Sequence, residues 1–290
     1  MIYVGTCGYA YKDWIGPFYA PKTKPAEMLP AYARRFRAVE IDSSYYGVPK
    51  PQTVASMAAR STEDFRFSFK LPQTVTHPAD PASLRVHDDA RLLLESLEPV
   101  RRAKKLACVL AQFPNGFKPE GNREAYLREV VETFAGVPVI VEFRNAKWQR
   151  PETFVLLREI GAGYCNVDMP RIDGLLAPSS DALGPVGYVR FHGRNAKQWW
   201  TGSNITRYDY IYSAEELVPW TDRIAEVEEQ VADTYVFFNN HASGRAAQNA
   251  EMLEALLDDR YGAQAEEAVA HARGGSPEQT PFAFAEGDDA

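Results

Sequence analysis

Val137-Pro-Val-Ile-Val-Glu-Phe-Arg144 is a short apolar run that ends in charged residues, and seven other stretches of the chain repeat this form. Each of the eight runs is rich in Val, Ile, Phe, Tyr or Cys and stops at polar residues, Gly or Pro, which is typical of buried β-strands. The other predicted strands are Ile2–Cys7, Ala38–Ser43, Phe65–Lys70, Leu106–Phe113, Gly163–Asp168, Val186–His192 and Thr234–Asn239.

Helical patterns separate these strands, with apolar residues three and four positions apart. Pro99, Pro138 and Gly161 stand near helix ends, where such residues stop a helix. Alternation of strand and helix predicts parallel strands with right-handed crossovers, and eight such units favour a closed (β/α)8 barrel of the TIM type over an open sheet. The predicted helices are Pro25–Phe36, His87–Leu97, Arg123–Phe134, Glu152–Ile160 and Glu215–Val231, with a short candidate at Thr53–Ala59.

The sixth unit and the carboxyl-terminal segment depart from this pattern. Residues 171–185 look like a loop rather than a helix, so the alternative is a barrel that is irregular or partly open at the sixth unit. We predict one barrel over residues 1–257 and a short helix followed by an acidic tail over residues 258–290. The helix is expected at Ala263–Arg273, and Gly274–Ala290 has too few apolar residues to fold and is predicted to be disordered.

The composition limits the class of protein. The 290 residues suit one α/β barrel, and 45% of them are hydrophobic, which is enough for a core. A net charge of −7 argues against general affinity for nucleic-acid phosphates. Cys7, Cys108 and Cys165 are far apart, as reduced thiols are in cytosolic proteins. Because signal-peptide and membrane-helix patterns are missing from the sequence, we predict a cytoplasmic protein that does not contact a membrane.

Charged side chains gather where the predicted strands end, which is the working face of an α/β barrel. Side chains alternate along a strand, so Glu142 and Arg144 share the inner face of strand five. A buried charge must pair or meet a ligand, because an unpaired one is too costly. Two interpretations stand: a mutual salt bridge without chemistry, or an acid–base group beside a cation.

The same alternation points further polar groups into the barrel from strands two, three and seven. We predict Glu142, His192 and Glu40 as catalytic acid–base residues. Lys70, Arg144 and Arg190 would hold the anionic part of a ligand. The alternative is an internal charge network that sets the strand register. The inward-facing residues are Glu40, Asp42, Ser44, Ser68, Lys70, Tyr188, Arg190 and His192.

The loops above the strand ends supply further binding candidates. Aromatic side chains there bind sugars and nucleobases, or else pack the upper rim. Asn239 and Asn240 precede Gly244, at a place where such barrels often bind phosphate, and the alternative for both is helix capping. A site without a cofactor is expected, and magnesium held by Glu40, Glu142 and Asp168 is the open alternative. The additional ligand-binding candidates are Asp168, Asn239, Asn240, Tyr9, Trp14, Tyr46 and Trp148.

Nine short motifs together form a distinctive pattern over residues 1 to about 257. They are Gly5-Thr-Cys-Gly-Tyr, Val39-Glu-Ile-Asp-Ser-Ser-Tyr-Tyr, Phe67-Ser-Phe-Lys-Leu-Pro, Gln112-Phe-Pro, Val141-Glu-Phe-Arg-Asn, Val167-Asp-Met-Pro, Val189-Arg-Phe-His-Gly-Arg, Arg207-Tyr-Asp-Tyr-Ile-Tyr-Ser and Phe238-Asn-Asn-His. The pattern resembles the YecE-like family, domain-of-unknown-function family seventy-two. The resemblance implies a barrel of the same type and implies no activity. Asp42 stands where that family usually has Asn.

Two functions of different class follow from these residues. The first is an enzyme of the hydrolase or isomerase class that acts on a phosphorylated sugar, a nucleotide or a glycoside by acid–base chemistry. The second is a non-catalytic binder of a nucleotide or of single-stranded nucleic acid, suggested by the aromatic loops with Arg194, Lys197 and Arg207 nearby. The negative net charge disfavours this second function. The small polar or anionic ligand remains the favoured partner.

Overall fold

Eight parallel strands form a closed barrel in which each strand pairs with the next along the chain and the last pairs with the first. The computed structural model describes residues 1–78 and 84–274, without the side chains of residues 204 and 264–274. The predicted TIM-type barrel is therefore confirmed. The strands are β1 (Ile2–Cys7), β2 (Ala38–Ile41), β3 (Arg66–Lys70), β4 (Leu106–Gln112), β5 (Val139–Glu142), β6 (Gly163–Asp168), β7 (Gly187–Phe191) and β8 (Thr234–Phe238).

Helices lie between the strands at positions that the sequence marks. Pro25, Pro51 and Pro151 occupy the first turn of three helices, where a missing backbone N–H costs nothing. The helix that begins at Pro151 ends at Ile160, because Gly161 after it has a left-handed backbone with φ of 70°. The helices are α1 (Pro25–Ala33), α2 (Pro51–Ala59), α3 (Gln73–Thr76), α4 (Asp89–Ser96), α5 (Glu98–Arg102), α6 (Arg123–Thr133), α7 (Pro151–Ile160), α8 (Asn204–Arg207), α9 (Ala214–Glu228) and α10 (Arg245–Gly274).

The sixth unit is irregular, as its sequence predicts. Residues 169–186, which the structure describes throughout, connect β6 to β7 without a helix. Leu176 and Leu183 of this segment are buried, so a loop packs against the barrel where the other units have a helix. Gly184 has a φ of 80°, and a Cβ there would approach the Cα of Gly163 to 2.7 Å. The loop can pass this close to β6 only with glycine at that position.

The last helix is longer than the sequence indicates. α10 continues through the expected boundary at residue 257 and includes the predicted helix Ala263–Arg273. Ala250 and Leu253 are buried against the rest of the chain, which anchors the first half of α10. Residues 275–290 of the predicted acidic tail lie outside the described residues. In the described part of the chain, each helix is too short or too polar to cross a bilayer.

The barrel interior changes from aromatic to charged along its axis. Near the amino ends of the strands, Tyr3 and Tyr235 stack with 5.0 Å between ring centroids. In the middle, the Tyr188 and Ser68 hydroxyls lie 2.8 Å apart, and the Cys108 thiol is 3.4 Å from the Ser68 oxygen. Burial raises the pKa of the Cys108 thiol to about 12, so it stays protonated. The charged groups begin directly above this layer.

Candidate functional site

Arg190 of β7 joins two glutamates inside the barrel. Its guanidinium donates to Glu40 at 2.6 Å and to Glu142 at 2.5 Å. Both glutamate side chains are fully buried, and that of Arg190 is 1% exposed. The Tyr188 hydroxyl donates to the second Glu40 oxygen at 2.6 Å. The inward-facing charges of β2, β5 and β7 therefore form one hydrogen-bonded network. Each charge needs such a partner, because burying an unpaired charge costs too much desolvation free energy.

The second oxygen of Glu142 meets two further groups. Arg144 Nε lies 2.6 Å from it, and His192 Nε2 lies 3.1 Å from it. The amide nitrogen of Asn239 lies 3.1 Å from His192 Nδ1. Because an amide nitrogen only donates, Nδ1 accepts and the Nε2 hydrogen of His192 is donated to Glu142. Burial, assisted by the Arg144 charge, lowers the pKa of His192 to about 3, so the imidazole is neutral.

The two buried glutamates have opposite proton affinities. Burial raises the pKa of Glu40 to about 7, against the Arg190 charge and with the help of neighbouring Asp42. Burial acts the same way on Glu142, but Arg144, Arg190 and His192 hold the pKa of Glu142 well below its usual value. Two carboxyl groups in one site with pKa values driven apart are the arrangement that acid–base enzymes use.

A cavity of about 390 Å³ opens above this network, at the carboxyl ends of the strands. Three cationic side chains line it: Lys70, Arg144 and Arg207. Asp42 is the one carboxylate among the described lining residues, and its side chain is 23% exposed. We call this cavity the cup. Its lining residues are Tyr11, Asp42, Tyr45, Tyr46, Lys70, His77, Gln112, Pro114, Asn115, Arg144, Leu175, Trp199, Trp200, Arg207, Tyr208, Asn239 and His241.

The structure separates the predicted site residues into two connected levels. Four binding candidates line the cup, namely Lys70, Arg144, Asn239 and Tyr46. The three predicted catalytic residues, Glu142, His192 and Glu40, are completely buried, as is Arg190. Among the cup residues they contact Arg144, Asn239 and Asp42, and the His192 ring also lies 6.0 Å from the Tyr208 ring and 6.5 Å from the Trp199 ring.

Asp168 and Asn240 lie apart from the cup. Cys165 contacts Glu142 and so faces inward, which places Asp168, three residues later on β6, on the outer face. Asp168 accepts hydrogen bonds from Arg194 at 2.7 and 2.8 Å, from the Tyr212 hydroxyl and from the Trp220 indole. Asn240 donates to the Tyr210 carbonyl and to Asn249. Both residues connect the barrel to the β7–α9 loop and the outer helices.

Three aromatic candidates also lie outside the lining of the cup. Trp148 is buried against Phe143, with ring centroids 4.4 Å apart, and its indole donates to the Phe117 carbonyl. The Trp14 indole donates to the His241 carbonyl at 2.7 Å. Tyr9 packs against Tyr32. Trp14 thus supports the loop that carries His241 into the cup.

Several cup residues did not enter the sequence prediction. Tyr208 lies far along the β7–α9 loop, so strand alternation gives no information about it, although it belongs to the Arg207-Tyr-Asp-Tyr motif. Gln112 ends β4 and Asn115 follows it. Both could have been predicted as cup residues from their position, because they lie at the carboxyl end of a strand. Asp42 was placed inward by alternation and is the residue through which Glu40 approaches the cup.

The carboxylates do not fit the magnesium site that the sequence left open. Glu40 and Glu142 share the positive charge of Arg190, while Asp168 faces the outer helices. Cys7, Glu40 and Asp42 bring ligand atoms within 4.8 Å of one another. Arg190 NH2 lies 3.3 Å from the Cys7 sulfur, 2.6 Å from Glu40 and 3.8 Å from Asp42. A guanidinium at that position repels a divalent cation.

The comparisons with known proteins identify relatives in sequence and structure. Residues 3–273 match the family described as "Protein of unknown function DUF72". The UPF0759 protein YunF of Bacillus subtilis is 32% identical over 280 residues, 90% of this chain and 96% of YunF. The UPF0759 protein YecE of Escherichia coli K12 is 32% identical over 120 residues, 41% of this chain and 40% of YecE.

Two crystal structures of DUF72 family proteins share the fold. The protein from Thermotoga maritima has a TM-score of 0.80 and 35% identity, and the match covers 89% of this chain and 99% of that chain. The protein from Enterococcus faecalis has a TM-score of 0.79 and 26% identity over 89% of this chain and 96% of that chain.

Proposed function

The chain belongs to the DUF72 family, and we propose that its cup is an enzyme active site for a small phosphorylated ligand of the sugar or nucleotide kind. The observation that carries this proposal is the excess of cationic groups in the cup. Lys70, Arg144 and Arg207 line it, against the single carboxylate of Asp42 among the described lining residues. An acidic chain that concentrates cations in one cavity attracts an anion to that cavity.

The size and the walls of the cup suit such a ligand. A volume of about 390 Å³ lies in the range of small-molecule sites. Lys70 Nζ is 4.3 Å from the centroid of the Tyr45 ring, and the Arg144 guanidinium carbon is 5.7 Å from that of Trp199. Aromatic rings at these distances orient both cations and offer flat faces to a sugar or a base.

The buried level supplies positioning and a proton. Glu142 fixes Arg144, and His192 fixes Asn239, so both ligand-facing groups are oriented before a ligand arrives. Glu40, with a pKa of about 7, exchanges a proton near neutral pH beside Asp42, which faces the cup. In this proposal the predicted acid–base residues act through the groups that separate them from the ligand.

A second candidate function is the binding of single-stranded nucleic acid without catalysis. Tyr46 and Trp200 line the cup and are 70% and 53% exposed, so their rings are accessible to bases. The net charge of −7 opposes this function. Affinity for oligonucleotides that falls steeply with salt would favour it over the enzyme.

Isothermal titration calorimetry tests the enzyme proposal with hexose phosphates, pentose phosphates, nucleoside monophosphates and their unphosphorylated counterparts. We expect binding only with the phosphate present, and a loss of about tenfold or more in Lys70→Met and Arg207→Gln, because a hydrogen bond to a charged group is worth about 1.5–3 kcal/mol. Lys147→Met is the control, since Lys147 is 59% exposed and pairs with Glu120 outside the cup. Equal affinity for both ligand sets would contradict the proposal. Phosphorus NMR of the bound ligand then separates turnover from binding alone.

A further inference from the structure

Tyr208 lines the cup close enough to its cationic side chains to be affected by their charges. It follows α8 directly and lines the cavity together with Lys70, Arg144 and Arg207. Its ring meets the Trp199 ring edge to face, with 6.1 Å between centroids. The centroids of the His192 and His241 rings lie 6.0 and 6.3 Å from that of Tyr208. Elements of β7, β8 and the β7–α9 loop thus hold the ring of Tyr208 in a fixed place beside the ligand space.

The cationic groups that act on the Tyr208 hydroxyl come from four parts of the barrel. Arg144 follows β5, Lys70 ends β3 and Arg207 ends α8, and all three carry full positive charges. Burial alone would raise the pKa of Tyr208, but these charges, with that of Arg190 on β7, lower it below its usual value. The other titratable groups that line the cavity are Asp42, Tyr11, Tyr45, Tyr46, His77 and His241, and the neighbouring His192 is neutral. The surroundings therefore make the Tyr208 hydroxyl easier to deprotonate than an ordinary phenol, because they lower its pKa.

We propose that Tyr208 is the proton-transfer residue of the cup, taking a proton from the ligand with its phenolate oxygen. This inference rests on the proposed function and names a residue that contacts the ligand itself, which Glu142, His192 and Glu40 do not. Arg144 is its electrostatic partner: burial lowers and Glu142 raises the pKa of Arg144, and a hydrogen bond to Tyr208 raises it further.

The chemical step is a proton transfer without a redox change. An O–H or C–H bond of the ligand breaks, and the proton forms a new O–H bond at Tyr208. The electron pair remains on the ligand atom, where the charges of Lys70 and Arg144 stabilise it. Tyr208 returns the proton to another ligand atom or to a leaving group, which regenerates the phenolate. The same residue thus serves as base and then as acid.

Ultraviolet titration of the ligand-free protein tests the inference, because tyrosinate absorbs differently from tyrosine. The chain has 15 tyrosines. We expect one of them to ionise before the others, with the amplitude of a single residue, and this phase to vanish in Tyr208→Phe. Tyr45→Phe is the matched control, because Tyr45 lines the same cup but burial raises its pKa. Lys70→Met should move the early phase to higher pH.

Inorganic phosphate provides the second arm, at a concentration where calorimetry shows binding. The anion offsets the cations, so it should move the Tyr208 phase to higher pH, as expected for a hydroxyl that faces the ligand. An early phase that is missing, that survives in Tyr208→Phe, or that bound phosphate leaves unmoved would overturn the inference. The ligand-free titration does not depend on calorimetry, so the assignment of Tyr208 and the proposed ligand class fail separately. Circular dichroism of Tyr208→Phe excludes misfolding as the cause of a lost phase.

Discussion

Replacing Arg190 by Met tests the buried network most severely. The substitution keeps much of the side-chain volume and removes two charged hydrogen bonds, of 2.6 and 2.5 Å, from two fully buried carboxylates. Removing one partner of a buried ion pair costs about 3–5 kcal/mol. Tyr188 still donates to Glu40, and Arg144 and His192 still contact Glu142. We therefore expect a loss of about 4 kcal/mol at neutral pH rather than twice the pairwise cost.

The loss in Arg190→Met should depend on pH in one direction. Without Arg190, the pKa of Glu40 rises further above its unfolded value, and Glu142 loses one of the charges that hold its pKa down. A carboxyl group with a raised folded pKa stabilises the protein fully below its unfolded pKa and loses that contribution as pH rises. The deficit should therefore be largest at neutral pH and shrink in acid, where Glu40 is protonated. Arg190→Met combined with Glu40→Gln should recover part of it at neutral pH.

Urea unfolding followed by circular dichroism measures the effect through the midpoint, with the slope unchanged. Thermal unfolding should show a decrease of about 2–4 °C for each kcal/mol. Arg128→Met is the control, because Arg128 and Glu159 are 49% and 55% exposed and such pairs contribute about 0–1 kcal/mol. A loss for Arg190→Met as small as that of the control, or one that is the same at acid and neutral pH, would refute the account of the network.

Three further predictions concern single groups. Asp168→Asn should destabilise the fold by about 2–4 kcal/mol, because it weakens the contacts to Arg194, Tyr212 and Trp220, and it should leave phosphate affinity in calorimetry unchanged. Nitrogen NMR should find His192 neutral down to pH of about 3, with the hydrogen on Nε2, and an imidazolium signal near neutrality would contradict this. In wild type, the raised pKa of Glu40 lowers the free energy of unfolding as pH rises through about 7. Urea unfolding at several pH values should show that Glu40→Gln lacks this pH dependence. An unchanged pH dependence would assign it to another group.

The part of the site that the sequence predicts is the set of strand residues that face the barrel interior, because side chains alternate along a strand. Glu142, Arg144, Arg190 and His192 point into the barrel because period-two geometry leaves a strand residue only two faces. The missing helix between β6 and β7 was also visible, since residues 171–185 show no helical spacing. Both features depend only on local backbone geometry.

Depth and loop positions could not be predicted in the same way. Alternation predicts that Glu142 faces the barrel interior but not how far below the cup it lies. The position of Arg190 along the barrel axis decides which carboxylates it pairs with, and these are Glu40 and Glu142. Tyr208 reaches the cup on a loop whose position depends on contacts distant in sequence, such as the hydrogen bond that the Asn240 amide donates to the Tyr210 carbonyl. Asp168 carries the same charge as Glu142 but faces the opposite side of the barrel wall.

Calorimetry of one phosphorylated and unphosphorylated ligand pair against wild type, Arg207→Gln and Lys147→Met decides whether the cations of the cup bind a phosphorylated ligand. Arg207 lines the cup, whereas Lys147 lies outside it. We predict that only the phosphorylated partner binds, that Arg207→Gln weakens binding about tenfold or more, and that Lys147→Met binds as wild type does. Binding that ignores the phosphate, or that both substitutions weaken equally, would contradict the claim.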